Sequence, residues 1–194
     1  SQNMDPVSQG ILGASFASSL SARKKLRLAS FCGFAGGLAP DLDVLIRSNR
    51  DSLLALEFHR HFSHSVFFVP LGALIIALFL NIFLKKSLSF KETYFYTIAG
   101  FFTHGFLDSC TSYGTHLFWP ILDERFSWNI ISIIDPIYTF ILLIFIIIAI
   151  FYRSLLFVRF GVFFSSMYLL LGMYQYQSVE KYVKKIAYER GHKI

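Results

Sequence analysis

Histidines and aspartates are concentrated at the ends of the long apolar runs of this chain. Five of its six histidines share this placement, namely His59, His61, His64, His104 and His116. Four aspartates do too: Asp41, Asp43, Asp108 and Asp135. Imidazole nitrogens and carboxylate oxygens bind divalent metals, and ionisable groups near lipid are costly unless they have a function. The pattern therefore predicts a metal site.

The spacing of His104 and Asp108 is the simplest local arrangement of two ligands. The two residues are four apart, so on a helix they project from one face, one turn apart. The alternative is a helix-end histidine hydrogen-bonded to a carboxylate, which the same spacing allows. Two ionisable groups at membrane depth favour the functional interpretation, because leaving them unpaired costs free energy.

The densest stretch holds His59, His61 and His64 within six residues. Ser63 is positioned to cap a helix that continues through Val66, which would place His64 in the first turn. The helix dipole there disfavours imidazolium and leaves the neutral ring that a metal needs. Arg60 could hold a phosphate or carboxylate bidentately, or it could pair with Glu57.

The carboxylates divide into expected ligands and expected bases. Asp41 and Asp43 follow Pro40 at the end of an apolar run, and we expect one of them to be a ligand and the other to support it. Asp135 precedes Pro136, which is ordinary helix-capping chemistry. Asp43 and Asp135 are the candidate general bases.

Composition indicates a membrane protein, because 55% of the 194 residues are hydrophobic and only 15% are charged. The apolar runs are 7–20, 28–46, 66–84, 94–107, 137–152 and 155–174. Backbone groups in lipid must be satisfied within a segment, so these runs are expected to be helices. We predict an all-α, polytopic integral membrane bundle with about five to six membrane helices, forming one domain over residues 1–194. The first run is rich in small residues, which favours helix packing over lipid contact.

Two terminal segments are set apart from the bundle. Ser1 to Asn3 precede Met4 and are interpreted as residues left by expression. Residues 177–194 are predicted to form an amphipathic surface helix, because Val179, Tyr182, Val183 and Ile186 recur at helical spacing.

The net charge of +6 is not read as a nucleic-acid surface, because the basic residues flank apolar runs. Short clusters of basic residues beside apolar runs mark cytoplasmic loops. Alternating the helices between these loops carries the candidate ligands to the opposite face. The prediction is a multi-pass protein of a bacterial inner membrane with its site at the periplasmic face. Membrane lipids are the expected partners, no nucleic-acid partner is expected, and the oligomeric state is left open.

The ordered motifs resemble those of the YdjM-like family of small bacterial inner-membrane proteins, described as metal-dependent hydrolases. The resemblance rests on Asp5-Pro6-Val7-Ser8-Gln9, Pro40-Asp41-Leu42-Asp43, His59-Arg60-His61-Phe62-Ser63-His64-Ser65, His104-Gly105-Phe106-Leu107-Asp108, Thr111-Ser112-Tyr113-Gly114 and Ile134-Asp135-Pro136. The resemblance also implies a distant relation between this family and the zinc-dependent phospholipase C and P1-type nucleases.

That resemblance implies a set of ligands, with Asp108 able to bridge two metals. The implied ligands are Asp41 or Asp43, His59, His64, His104 and Asp108. This chain departs from the family pattern at three positions. His61 stands where the family motif usually has Gly, Gln9 where some relatives have His, and His116 where relatives often differ. No role is assigned to these three residues or to Asp5.

The resulting hypothesis is a membrane-embedded hydrolase that cleaves a phosphoester, such as a phospholipid headgroup, with a water molecule activated by metal. Asp43, Asp135 and Arg60 are the expected catalytic groups. Zinc is favoured by mixed His and Asp ligands, at about one to three ions, and manganese or magnesium would suit a carboxylate-rich site. One alternative is an ion or proton transporter that uses the same cluster. Another is a structural protein whose metal ties helices together.

Overall fold

The computed structural model describes residues 5–45 and 62–190, with side chains described except at positions 43–45 and 62. Within those ranges the regular structure is helical, apart from one isolated bridge between Thr115 and Phe126. The α-helices are α1 (Pro6–Ser19), α2 (Leu26–Leu38), α3 (Val69–Leu84), α4 (Phe90–Ser109), α5 (Pro136–Tyr152) and α6 (Leu155–Glu189). Short 3-10 turns occupy Arg23–Lys25, Ala39–Leu45 and Phe62–His64. The predicted all-α class is confirmed for these residues.

Side-chain caps explain where three helices begin. Asp5 accepts from the amide of Val7 at the start of α1, and Asp135 accepts from the amide of Tyr138 at the start of α5. Ser89 and Glu92 form a reciprocal capping box on α4. The caps expected at the two Asp-Pro pairs are confirmed, because capping depends only on neighbouring residues.

The expected cap at Ser63 is wrong. Helix α3 begins at Val69 with Pro70 in its first turn, and a proline favours that position because it has no amide hydrogen to leave unpaired. The Ser63 hydroxyl lies 2.9 Å from Nδ1 of His64 instead. His64 therefore sits in a 3-10 turn before the helix, and the helix-dipole argument for its neutral ring does not apply.

Glycines bring α1, α2 and α4 into backbone contact. A Cβ atom on Gly13 would lie 2.4 Å from the carbonyl oxygen of Gly33, and one on Gly100 would lie 2.1 Å from the same oxygen. No side chain fits at such distances, so the three helices approach as closely as their backbones allow. The prediction that the first apolar run packs against other helices is confirmed.

Helices α5 and α6 complete the fold and pack against each other. Leu142, Ile146 and Val158 are buried in a core cluster that these helices share with Ile11 and Leu12 of α1. Helix α6 runs unbroken for 35 residues. Residues 177–189 are therefore helical, as predicted, but they continue α6 and do not form a separate helix. Its stretch from Val179 to Ile186 keeps apolar side chains exposed.

Membrane spanning is supported most directly at α6. Among the described residues it is the one helix long and apolar enough to cross a bilayer, whereas α3 and α5 are shorter apolar helices. At the α-helical rise, α3 is about 24 Å long and α5 about 26 Å, against a hydrocarbon thickness of about 30 Å. The count of about five to six membrane helices stays a prediction.

Candidate metal centre

Two histidines and an aspartate meet at the C-terminal end of α4. Nε2 of His64 lies 2.9 Å from Nε2 of His104 and 3.2 Å from Oδ2 of Asp108. Nε2 of His104 lies 3.6 Å from that oxygen, so the two α4 residues share one face. All three side chains are buried, at no more than 1% exposure.

Asp41 joins this group from the 3-10 turn after α2. Its Oδ1 atom lies 3.5 Å from Nε2 of His104 and 3.8 Å from Nε2 of His64. Asp41, His64 and His104 each offer one ligand atom, and these atoms lie within 4.8 Å of one another. Both Asp41 carboxylate oxygens are buried without a hydrogen bond of normal geometry to the described residues. Three separate segments thus direct donor atoms toward one point.

A backbone carbonyl determines which nitrogen of His104 faces the cluster. Nδ1 of His104 lies 2.6 Å from the carbonyl oxygen of Gly37, and a carbonyl only accepts, so Nδ1 carries the hydrogen. In the neutral ring Nε2 is then an unprotonated lone pair directed at His64 and Asp41. Orientation of a ligand imidazole by a backbone carbonyl is typical of metal sites.

The cluster requires a positive charge among its acceptor atoms. Burial alone would raise the pKa of Asp41, but its contacts with His104 and His64 outweigh burial and hold that pKa below the usual range of an aspartate. The carboxylate is ionised at neutral pH and faces two imidazoles. Among the described residues, a proton on an imidazole or a bound metal ion can supply the attraction. The site combines imidazole nitrogens with carboxylate oxygens, and both Asp41 oxygens are buried without a normal hydrogen bond to the described residues. Such a set of ligand atoms fits a divalent ion.

Gln9 of α1 completes the surroundings of the cluster. Its side-chain Nε2 donates to Oδ1 of Asp108 at 2.9 Å and lies 3.3 Å from Nε2 of His104. The residue is 1% exposed. A Cβ atom on Gly37 would lie 2.6 Å from the backbone oxygen of Gln9, so the glycine at this crossing lets α1 approach the cluster. The sequence carried no signal for the role of the Gly37 carbonyl.

The sequence of this chain matches a known protein family. A family model described as YdjM inner membrane protein matches residues 4–179. The chain belongs to the YdjM family. The uncharacterized protein YfhP of Bacillus subtilis (strain 168) is 28% identical over 102 residues, which cover 53% of this chain and 31% of YfhP. No solved structure is significantly similar.

This YdjM-family chain brings together four of the predicted ligands: Asp41, His64, His104 and Asp108. His59, Arg60 and His61 lie outside the described residues, and so does the side chain of Asp43. Their roles stay predictions. His116 faces Asp123, with Nδ1 lying 3.4 Å from Oδ1, and is not among the residues grouped around the two central imidazoles.

Asp135 is engaged at the start of α5. One oxygen accepts from the amide of Tyr138 at 3.0 Å, and the other accepts from the hydroxyl of Tyr168 at 2.8 Å. These bonds join α5 to α6. They provide a structural role for the carboxylate, and its role as a general base stays a prediction.

We expect Asp135→Ala to destabilise the protein by about 1–2 kcal/mol, because the mutation removes a helix cap and the bond to Tyr168. Metal content should not change. Thermal unfolding in detergent, together with elemental analysis, measures both quantities. Asp135→Asn retains a good capping side chain and should recover most of the loss. Metal loss from folded Asp135→Ala protein would instead make Asp135 part of the site.

We expect Gln9→Leu to weaken metal affinity by about 10- to 100-fold, because residues that orient a ligand contribute at this level. The leucine keeps the volume but removes the hydrogen bond to Asp108. Competition with a chromophoric chelator measures the affinity. Gln175→Leu, at an exposed position of α6, is the matched control. Equal affinities of the Gln9 variant and the parent would contradict the assignment.

Proposed function

We propose that this protein is a membrane-embedded, metal-dependent hydrolase that cleaves a phosphoester, with a phospholipid headgroup as the substrate class. The observation that carries the proposal is the convergence of Asp41, His64, His104 and Asp108 on one point. Ionisable groups within a membrane protein are costly and are retained mainly where they have a function.

Each residue of the cluster has a defined task in this proposal. His64 and His104 present Nε2 lone pairs, and Asp41 and Asp108 supply negative charge. The Gly37 carbonyl fixes the ring of His104, while Gln9 holds one oxygen of Asp108 and leaves the other directed at His64. These groups would hold a divalent ion, which would supply an acidified water molecule and a positive charge for a phosphoryl oxygen. Zinc suits this donor set best, and about one to three ions are proposed.

The proposed orientation is a multi-pass protein with about five to six membrane helices and its site at the periplasmic face. Its support is that basic residues gather at the first turn of α4, whereas the cluster lies at the other end of this helix. Lys25 pairs with Glu92 in the first turn of this helix, and Arg23 donates to the carbonyl of Arg153 at 2.7 Å. Asp108 lies about 24 Å further along the same helix. Basic loops favour the cytoplasm, so the cluster belongs at the opposite surface.

The test is hydrolysis by purified protein reconstituted with defined metals. The protein is stripped with a chelator, reloaded with zinc, manganese or magnesium, and assayed with bis(p-nitrophenyl) phosphate and with phospholipid vesicles. We expect activity that depends on metal and is lost in Asp108→Asn. His116→Ala is the control, because His116 pairs outside the cluster. Fully metallated protein with no hydrolysis of any phosphoester would contradict the proposal.

A structural metal is the second candidate, favoured by the burial of His64, His104 and Asp108. A structural site has a closed ligand shell, whereas a catalytic site keeps a position open. Cobalt substitution distinguishes the two, because added phosphate should change the visible spectrum only where a position is open. An unchanged spectrum together with a large loss of stability on metal removal would favour the structural role.

A further inference from the structure

A cavity lies on the other side of α4 from the metal centre. It has a volume of about 550 Å³ and is lined by α4, the segment 127–130 and α6. Phe106 of α4 and Cys110, the residue that follows this helix, form one wall. Phe106 is 41% exposed, whereas His104 and Asp108, two residues to either side, are fully buried. Residues two apart on a helix point in nearly opposite directions, so this cavity does not belong to the metal centre.

The walls of the cavity are held by contacts already present. A Cβ atom on Gly172 would lie 2.5 Å from the carbonyl oxygen of Ile130, so α6 rests directly on the segment that forms the second wall. The rings of Phe106 and Trp128 pack edge to face with centroids 5.8 Å apart. The cavity is therefore preformed, and its size is typical of sites that bind small molecules.

The α6 wall is more apolar at one end than at the other. Ser166, Leu169, Leu170 and Met173 line the first end, and Gln177 and Glu180 line the other. From Leu169 to Glu180 the helix rises about 17 Å. A groove that is mostly apolar along its length and has a charged side chain at one end matches a molecule with a hydrocarbon chain and a polar head.

The surroundings indicate which molecule of that kind is available. The most apolar stretch of α6 is only 17% buried within the protein, and the chain belongs to a family of inner membrane proteins. The unburied face of such a helix is covered by lipid. We infer that the groove between α4, residues 127–130 and α6 binds one acyl chain of a membrane phospholipid, with the polar head toward Glu180. This inference does not depend on the proposed hydrolase activity.

The experiment uses the full chain in vesicles of phosphatidylethanolamine and phosphatidylglycerol. A small fraction of the phosphatidylglycerol carries a diazirine near the end of one acyl chain, and labelled residues are mapped by mass spectrometry after illumination. We expect labels to concentrate on groove residues such as Phe106, Leu169 and Met173. Excess unlabelled phospholipid should reduce this labelling.

A matched pair of variants tests whether the groove itself holds the chain. Ser166→Trp places an indole in the cavity and should reduce groove labelling by about tenfold, because the ring occupies the space of the hydrocarbon. Met167→Trp adds the same side chain one residue along, outside the cavity lining, at a position that is 48% exposed. Its labelling should equal that of the parent. Leu170→Trp, another lining position, serves if Ser166→Trp does not fold.

Three results would overturn the inference. Labels could be distributed evenly over exposed apolar residues of α6, such as Phe163 and Leu171, which would indicate ordinary lipid contact. Labelling could be unchanged in Ser166→Trp or Leu170→Trp. The groove residues could stay unlabelled while other exposed residues of α6 are labelled, which would indicate that the groove is closed to lipid, for example by a second copy of the chain. Metal content measured on the same samples reports on the metal centre. Absence of lipid from the groove can therefore be distinguished from failure of the proposed function.

Discussion

Replacing His104 with alanine is expected to remove the metal from the purified protein. His104 presents Nε2 within 3.6 Å of ligand atoms from three other residues of the cluster, so its loss leaves a gap at the centre of the site. Removing a residue that only orients a ligand costs about 10- to 100-fold in affinity, and the loss of a direct ligand should exceed that. We expect Asp108→Ala to behave in the same way.

Elemental analysis of the purified variants gives the metal content, and thermal unfolding provides an independent readout. Metal that binds only the folded state stabilises it by about 2.7 kcal/mol at a concentration 100 times the dissociation constant. A chelator should therefore lower the melting temperature of the parent and leave that of His104→Ala unchanged. His116→Ala controls for loss of an imidazole elsewhere. Full metal retention in both His104→Ala and Asp108→Ala would refute the metal centre.

The second large effect is expected at a helix crossing that contains no proposed ligand. Gly13→Ala would place a methyl group 2.4 Å from the backbone oxygen of Gly33, and neither backbone can yield without separating α1 from α2. We expect destabilisation of about 3 kcal/mol, at the upper end of typical overpacking costs. Metal affinity should fall as well, because α1 carries Gln9 and α2 leads to Asp41.

Gly10→Ala is the matched control for this prediction. It lies one turn earlier on α1, and its methyl group would lie 2.5 Å from a ring carbon of Phe34. Phe34 is 38% exposed, so its ring can turn away. Both variants gain the same helix propensity, about 1 kcal/mol, and differ in what the methyl group meets. Equal stabilities, measured by unfolding in detergent, would contradict the backbone-contact argument.

Local chemistry accounts for the parts of the fold that were predicted correctly. The caps at Asp5 and Asp135 depend on neighbours within a few residues, and apolar runs between basic segments identify helices. The failures occurred where two local signals competed. Pro70 outweighed Ser63 as the start of α3. At the other end of the chain, no proline interrupts the helical pattern after Gly172, so α6 continues where a new helix was expected.

The sequence by itself determined the class of the protein, the residue types of the site and the pairing of His104 with Asp108, because helical periodicity is a property of a few consecutive residues. The family resemblance also named Asp41 and His64 as ligands, but only the tertiary structure decided how closely they approach that pair, that Gln9 holds Asp108 and that Gly37 orients His104. These contacts join residues separated by 40, 67 and 99 positions. They depend on how closely glycine-lined helices approach one another, and that distance is not encoded in any local pattern.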